Sequence, residues 1–343
     1  MAPSIPPSPR VFDEDLIRSS ITIEDAITTA RTAFTAAANE ATSSPPPWHL
    51  AIRRGDGSAL GEAHVKGAHL PGSRRFTIKT STGFPGNALT GRATSGGFST
   101  VFDAETGELE AVLLDNGYLT ELRTGAAGAL VNDILAPQTF AVAAVIGTGG
   151  QARHQLAGLL AVRTPQVVRV TGRDPRRAKA FVEEARTWCR VDIEYATTIE
   201  KAVRDAQCIV TVTGATSPIL RAEWVGPDVH ITAVGSDSPG KKELALELLI
   251  GADLVAVDDL AQSVSLGELQ GIDLDDLRHP PRTIGDILNS VTPQRPTGAA
   301  VTIADLSGLG IQDTAIGERL CTSLVERDSG TASHDQSGRS GTT

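Results

Sequence analysis

Cysteine is scarce: Cys189, Cys208 and Cys321 are the only three in 343 residues. Thiols so few and so scattered frame neither a disulfide scaffold nor a zinc knuckle, and they read as reduced cytosolic side chains. Long apolar runs are missing too. No stretch reaches the roughly 18 residues a membrane-spanning helix needs. Met1–Arg10 carries prolines and no apolar core, so no signal peptide is expected. Positive charge is in deficit, with 31 Lys and Arg against 41 Asp and Glu and a net charge of −10. Nucleic acid and anionic membranes favour basic surfaces, so neither is an expected partner. There is no internal repeat, and no G-x-S-x-G elbow to support acyl hydrolysis. What remains is a cytoplasmic, globular balance of 40% hydrophobic and 21% charged residues, long enough for two domains.

The pattern changes once, near Pro137. Before it, a helix is expected at Ile23–Ala38, then a Ser43-Ser44-Pro45-Pro46-Pro47 break. Short strands follow at His64–Ala68, Arg75–Thr80, Gly97–Phe102 and Glu110–Leu114, with Thr120 as the cap of a helix reaching Leu135. This is an α+β segment over residues 11–135. From 136 to 300 strands alternate with helices: Ala141–Ile146, Val167–Thr171, Ala206–Thr213, Val229–Val234 and Leu254–Val257 are the strands. Continuous apolar strands separated by helices imply an α/β, doubly wound parallel sheet of Rossmann type. Residues 1–10 and 328–343 lack apolar periodicity and are expected to be disordered.

The sharpest local signal is Val145-Ile146-Gly147-Thr148-Gly149-Gly150-Gln151-Ala152, a G-x-G-x-x-A turn between an apolar strand and a helix. Gly147 permits the tight turn, Gly149 lets backbone approach a pyrophosphate, and Ala152 lets the helix pack on the sheet. Thr148, Gly150 and Gln151 then present the helix N-terminus to the phosphates. NAD binders usually end the second strand on a carboxylate; here Thr171-Gly172 runs into Arg173-Asp174, and a guanidinium suits a 2′-phosphate. Asp174 reads equally as the cap of the next helix. Thr213, Val234 and Gly235, at the carboxyl ends of later strands, complete the expected cofactor set for NADP or NAD, with NADPH favoured. Asp237, just beyond Gly235, is a candidate catalytic acid/base for an amino or imino nitrogen; capping the loop at Ser238-Pro239-Gly240 is the other role open to it. His64 and His69 lie five apart in a strand-like segment, on opposite faces, so no metal is expected.

Several stretches together resemble the ornithine cyclodeaminase/μ-crystallin family: Phe76-Thr-Ile-Lys79 with Gly83-Phe-Pro-Gly-Asn87, Leu119-Thr-Glu-Leu-Arg123-Thr, the Gly147–Ala152 turn, Ala233-Val-Gly-Ser-Asp237 through Leu244, and Leu309-Gly-Ile-Gln-Asp313. The segment Gly61-Glu-Ala-His-Val-Lys-Gly-Ala-His69, with Val112 to Leu119, looks closest to an ectoine-degradation branch of imine reductase-like members. The resemblance implies a homodimer and a C-terminal segment, 301–327, that completes the N-terminal substrate and dimerisation domain. It also implies Asp237 and Lys79 as catalytic residues, with Lys79 and Arg123 clamping the substrate carboxylate. Where the family often has an Arg after two prolines, this chain reads Pro46-Pro47-Trp48-His49. Arg53, Arg54, His49, His64 and His69 are the nearby side chains able to replace that cation.

The expected function is NAD(P)H-dependent reduction of a small imino or ketimine carboxylic acid. One alternative is ammonia-eliminating cyclodeamination with tightly bound NAD. Another is a non-catalytic, crystallin-like nucleotide-binding role.

Overall fold

Two units divide the chain, and the division runs through two helices. The computed structural model describes residues 8–38, 42–292 and 294–335. One unit takes residues 1–29, 41–120 and 310–343; the other takes 30–40 and 121–309. These boundaries differ from the sequence expectation, which ran the first domain to 135 and began its return at 301. Of the loose ends expected, residues 1–7 and 336–343 lie outside the described residues. Within the described part, Arg10 opens a strand and helical backbone continues through 328–335.

The first unit starts with strand β1 (Arg10–Asp13), helix α1 (Glu14–Ser20) and the beginning of helix α2 (Ile23–Ala37). Strands β2 (Trp48–Arg53), β3 (Ala59–Ala68), β4 (Arg75–Gly83), β5 (Ser95–Asp103) and β6 (Leu109–Leu114) form a sheet with β1, ordered β1-β6-β5-β4-β3-β2. The pairs are antiparallel except β1 with β6. Strand β2 directly follows the proline break, at residues for which no strand was expected.

Alternation sorts the side chains of this sheet. Thr77, Lys79, Ser99, Val101, Ala111 and Leu113 share one buried face. The C-terminal helix (Gly310–Asp335) packs there through small residues: a Cβ at Gly310 would lie 2.7 Å from the Gly67 carbonyl oxygen, and one at Gly317 2.5 Å from the Thr77 hydroxyl. The opposite face leaves Val11, Trp48, Leu50, Ile78, Phe98 and Leu114 exposed.

Helix α3 (Tyr118–Leu135) begins two residues before the expected Thr120 cap. Asp115 does the capping, its carboxylate accepting from the Leu119 N–H at 2.8 Å, while Asn116 and Gly117 turn the chain at φ 50° and 90°.

The second unit alternates strand and helix as the sequence predicts: β7 (Val142–Ile146), α4 (Gly150–Val162), β8 (Val167–Thr171), α5 (Pro175–Arg186), β9 (Asp192–Tyr195), α6 (Ile199–Val203), β10 (Cys208–Thr211), β11 (Thr216–Leu220), β12 (Val229–Ala233), β13 (Lys242–Leu244), α7 (Leu246–Gly251), β14 (Leu254–Val257), α8 (Leu260–Leu266), β15 (Arg282–Thr283), α9 (Ile284–Asn289) and β16 (Val301–Asp305). Eight of these strands form one parallel sheet, ordered β15-β14-β16-β12-β10-β7-β8-β9; β11 and β13 pair separately. The order reverses beside β7, where doubly wound sheets open their ligand crevice. Strand β16, expected outside this domain, runs between β12 and β14. Its Thr302-Ile303-Ala304-Asp305 run is wholly buried, as a central parallel strand requires. Ile146, Ile209, Ile231, Val255 and Ile303 anchor the core, each worth about 1.5–3 kcal/mol by burial. No helix among the described residues is long and apolar enough to cross a membrane.

Helices α3 and α4 cross at glycines. A Cβ on Gly158 would stand 2.5 Å from the Gly125 carbonyl oxygen, and one on Gly125 2.6 Å from that of His154. Gly158→Ala gains about 1 kcal/mol of helix propensity but loses about 1–3 kcal/mol to overpacking against backbone that cannot move aside. Urea titration is expected to show a net loss of stability, whereas Gly55→Ala, with nothing within 4 Å, stays within about 0.5 kcal/mol of the parent.

Candidate functional site

The glycine turn has the geometry a phosphate needs. Gly147 sits at φ 129°, and a Cβ there would collide with the Val212 carbonyl oxygen. Its N–H donates to the Thr171 carbonyl at 2.9 Å, which ties the turn to the end of β8. Gly149 is the N-cap of the thirteen-residue α4, and a Cβ added to it meets nothing within 4 Å. There is thus room beside Gly149 for a dinucleotide pyrophosphate, bounded on the other side by the Glu121 carboxylate, 2.7 Å from where a Cβ on Gly150 would stand. Ala152 is fully buried, as close helix packing requires.

Beyond β8, Asp174 caps α5 by accepting from the Arg176 N–H at 2.9 Å. That leaves Arg173 as the exposed charge that directly follows the strand end.

Thr213 and Gly235, two of the expected cofactor residues, are held by a carboxylate the sequence reading left without a role. Glu243 is fully buried. One of its oxygens accepts from the Thr213 N–H and Thr213 hydroxyl, both at 2.7 Å; the other accepts from the Thr211 hydroxyl at 2.7 Å and the Gly235 N–H at 2.8 Å. Burial nevertheless pushes its carboxyl above the usual range. Glu268 supports it by accepting from the Glu243 N–H at 2.8 Å and the Leu244 N–H at 3.1 Å, and burial raises the Glu268 carboxyl to about 7. Asp305, at the end of β16, accepts in turn from the Glu268 N–H at 2.8 Å and from the Ser263 hydroxyl. Desolvation lifts Asp305 further, well above its ordinary value.

Asp237 projects from the loop after β12 with its side chain 49% exposed, paired with Lys241 at 2.5 Å and accepting from the Ser238 hydroxyl at 3.2 Å. The loop-capping role therefore exists, and the carboxylate is open to solvent beside it.

Lys79 is held differently. It is buried on β4 in an ion pair with Asp313 of the C-terminal helix, 2.9 Å away. Asp115 lies near enough to feel both charges, although burial is what chiefly raises its carboxyl. Asp313 is thus a positioning partner for Lys79, visible in the sequence only as part of a family-like stretch. Arg123, buried on α3, is seated by a glycine: Gly308 adopts φ 81°, and a Cβ there would lie 2.6 Å from the guanidinium. Asp258 fixes that glycine by accepting from the N–H groups of Ser307 and Gly308 at 2.9 and 2.6 Å.

The candidates for the missing clamp cation separate. Arg53 and Arg54 bond the hairpin turn at Gly57 and Ser58. His69 bridges Ser43 through its backbone. His49 stands directly opposite His64 on neighbouring strands, with a Glu62 carboxylate oxygen 3.2 and 3.5 Å from the two Nε2 atoms, on the same sheet face as Lys79. Sequence spacing had compared His64 with His69 and missed this cross-strand grouping.

The sequence profile of the ornithine cyclodeaminase/mu-crystallin family matches residues 11–327. This chain belongs to that family. A Sinorhizobium fredii protein named as an uncharacterized cyclodeaminase is 36% identical over 94% of this chain and 98% of its own. An archaeal alanine dehydrogenase dimer with bound NAD superposes with a TM-score of 0.83 at 29% identity, covering 93% of this chain and 97% of its own. The iminosuccinate reductase of Paracoccus denitrificans in complex with NAD+ superposes at 0.80 with 27% identity, again over 93% and 97%. The doubly wound architecture with a separate α+β unit is the fold of these relatives.

The carboxyl of Glu268 carries a pH signature. A carboxyl whose folded value is raised binds its proton more tightly when folded, so its stabilisation is complete below the unfolded value of 4.5 and is lost as pH rises through about 7. Glu268→Gln is expected to flatten the decline of the urea midpoint across that window, an effect on the order of 3 kcal/mol at most.

Proposed function

We propose that this protein is an NAD(P)H-dependent reductase of a small imino or ketimine carboxylic acid. The observation that carries the reading is the turn at Gly147–Ala152. It leaves open space beside Gly149, the N-cap of α4, at the strand-order reversal, with Arg173 two residues past the end of the second strand. The dehydrogenase and reductase named among the relatives support it.

When bound, a nicotinamide dinucleotide would supply the hydride for the imine carbon, and the nitrogen would gain the balancing proton. Lys79 and Arg123 bind the carboxylate of the substrate, the first oriented by Asp313 and the second by Gly308. Asp237 exchanges the proton at a carboxylate oxygen, with the Lys241 ammonium paired beside it. Arg173 favours NADPH, since a guanidinium suits a 2′-phosphate, while Asp174 uses one carboxylate oxygen to cap α5. The exposed apolar side chains Trp48, Leu50, Ile78, Phe98 and Leu114 share one face of the antiparallel sheet, which supports a homodimer built on that face, in the cytoplasm.

A second reading, ammonia-eliminating cyclodeamination with retained NAD, is favoured by the cyclodeaminase name of the 36%-identical relative. Screening cyclic and acyclic imino acids with NADPH and NADH separates the two: net cofactor oxidation supports reduction, and ammonia release from a diamino acid without net oxidation supports cyclodeamination. Asp237→Asn is expected to keep cofactor affinity while kcat falls at least about 100-fold. Arg173→Ala is expected to lower the NADPH-to-NADH ratio of kcat/KM by about tenfold or more, as loss of a charge-assisted phosphate contact requires. An unchanged ratio would remove Arg173 from the 2′-phosphate site.

A further inference from the structure

Three side chains outside the proposed reaction converge on the antiparallel sheet of the first unit. His49 on β2 lies directly across from His64 on β3, and Glu62 precedes His64 by two residues, so all three project from one face. The Nε2 atoms of the two rings approach the same carboxylate oxygen, Glu62 Oε2, at 3.2 and 3.5 Å. All three potential ligand atoms lie within 4.8 Å of one another. In a tetrahedral zinc site with bonds of about 2.0–2.1 Å, ligand atoms are separated by about 3.3 Å. Two of the three edges already have that length.

We propose that His49, Glu62 and His64 bind a divalent transition metal of the zinc class, through two imidazole nitrogens and one carboxylate oxygen. The donor set excludes magnesium and calcium, which take oxygen ligands, and selects ions that accept imidazole. Three protein ligands leave a fourth position open, to be filled by water or an anionic oxygen. The site is framed by backbone rather than by flexible loops: the β2–β3 register fixes His49 against His64, and β3 alternation fixes Glu62 beside it. The rings stand 4.7 Å apart and tilted by 37°.

The groups facing this cluster make it more than an isolated surface feature. Ser81 lies across from His64 on β4, and the next pair along the same face is Lys66 opposite Lys79. Of that pair, Lys79 is already neutralised by Asp313.

The test needs no substrate. Full-length protein, stripped with a chelator and dialysed, is titrated with Co²⁺ and followed by its visible ligand-field absorption; Zn²⁺ is then used to displace it. The expected result is saturable binding of about one ion per chain, with affinity at least tenfold lower in His49→Ala, His64→Ala and Glu62→Gln, and unchanged in His279→Ala, an exposed histidine elsewhere. Circular dichroism checks that each variant is folded, and Zn²⁺ should raise the thermal midpoint of the parent but not of the double His49→Ala/His64→Ala variant. No saturable binding in the parent, or equal binding in the double variant, overturns the proposal. Because the readout is metal affinity, its failure leaves the reductase reading untouched, and the reverse also holds.

Discussion

One buried carboxylate organises the second unit's functional edge. Glu243 accepts four hydrogen bonds from Thr211, Thr213 and Gly235, and thereby fixes the ends of β10 and β12 relative to each other. Such a group is costly to bury unless its lone pairs are used, and here the donors come from the carboxyl ends of two neighbouring parallel strands. Gly235 belongs to the same arrangement, since a Cβ there would collide with the Thr213 carbonyl oxygen and come within 2.5 Å of the Glu243 carboxyl. Glu268 and Asp305 extend the support to β16, so that the loop ends are braced by polar contacts running from one central strand to the next.

In the first unit an ion pair plays the comparable part. Lys79 and Asp313 are separated by 234 residues in the chain, yet both are buried and 2.9 Å apart. Thr314 adds to the closure, its hydroxyl donating to the Ala68 carbonyl at 2.6 Å and accepting from the Thr77 N–H at 3.1 Å. A cation placed in this way is held in one orientation on the buried face of the sheet.

Local signals were legible and long-range ones were not. The Gly147–Ala152 turn, β8 and β14 could be read from the sequence because each depends on contiguous residues: a tight turn, or a run of apolar side chains covered on both faces. Strand β2 was hidden by the prolines before it. The roles of Glu243, Glu268 and Asp305 were hidden because a carboxylate beside Lys241 and Lys242 looks like solvated charge until strands from distant positions close over it. The grouping of His49 with His64 depends on strand register, which residue spacing along one strand does not report.

The position of β16 sets an order on synthesis. Val301–Asp305 is inserted between β12 and β14, although both precede it by dozens of residues. While the ribosome makes the intervening segment, β12 exposes an unpaired edge and β14 has no neighbour on that side. The parallel sheet becomes continuous only when its last strand in sequence enters the middle. Until then the nascent chain carries two open, strongly apolar edges, which makes the interval before residue 305 the window in which chaperone protection matters most to this fold.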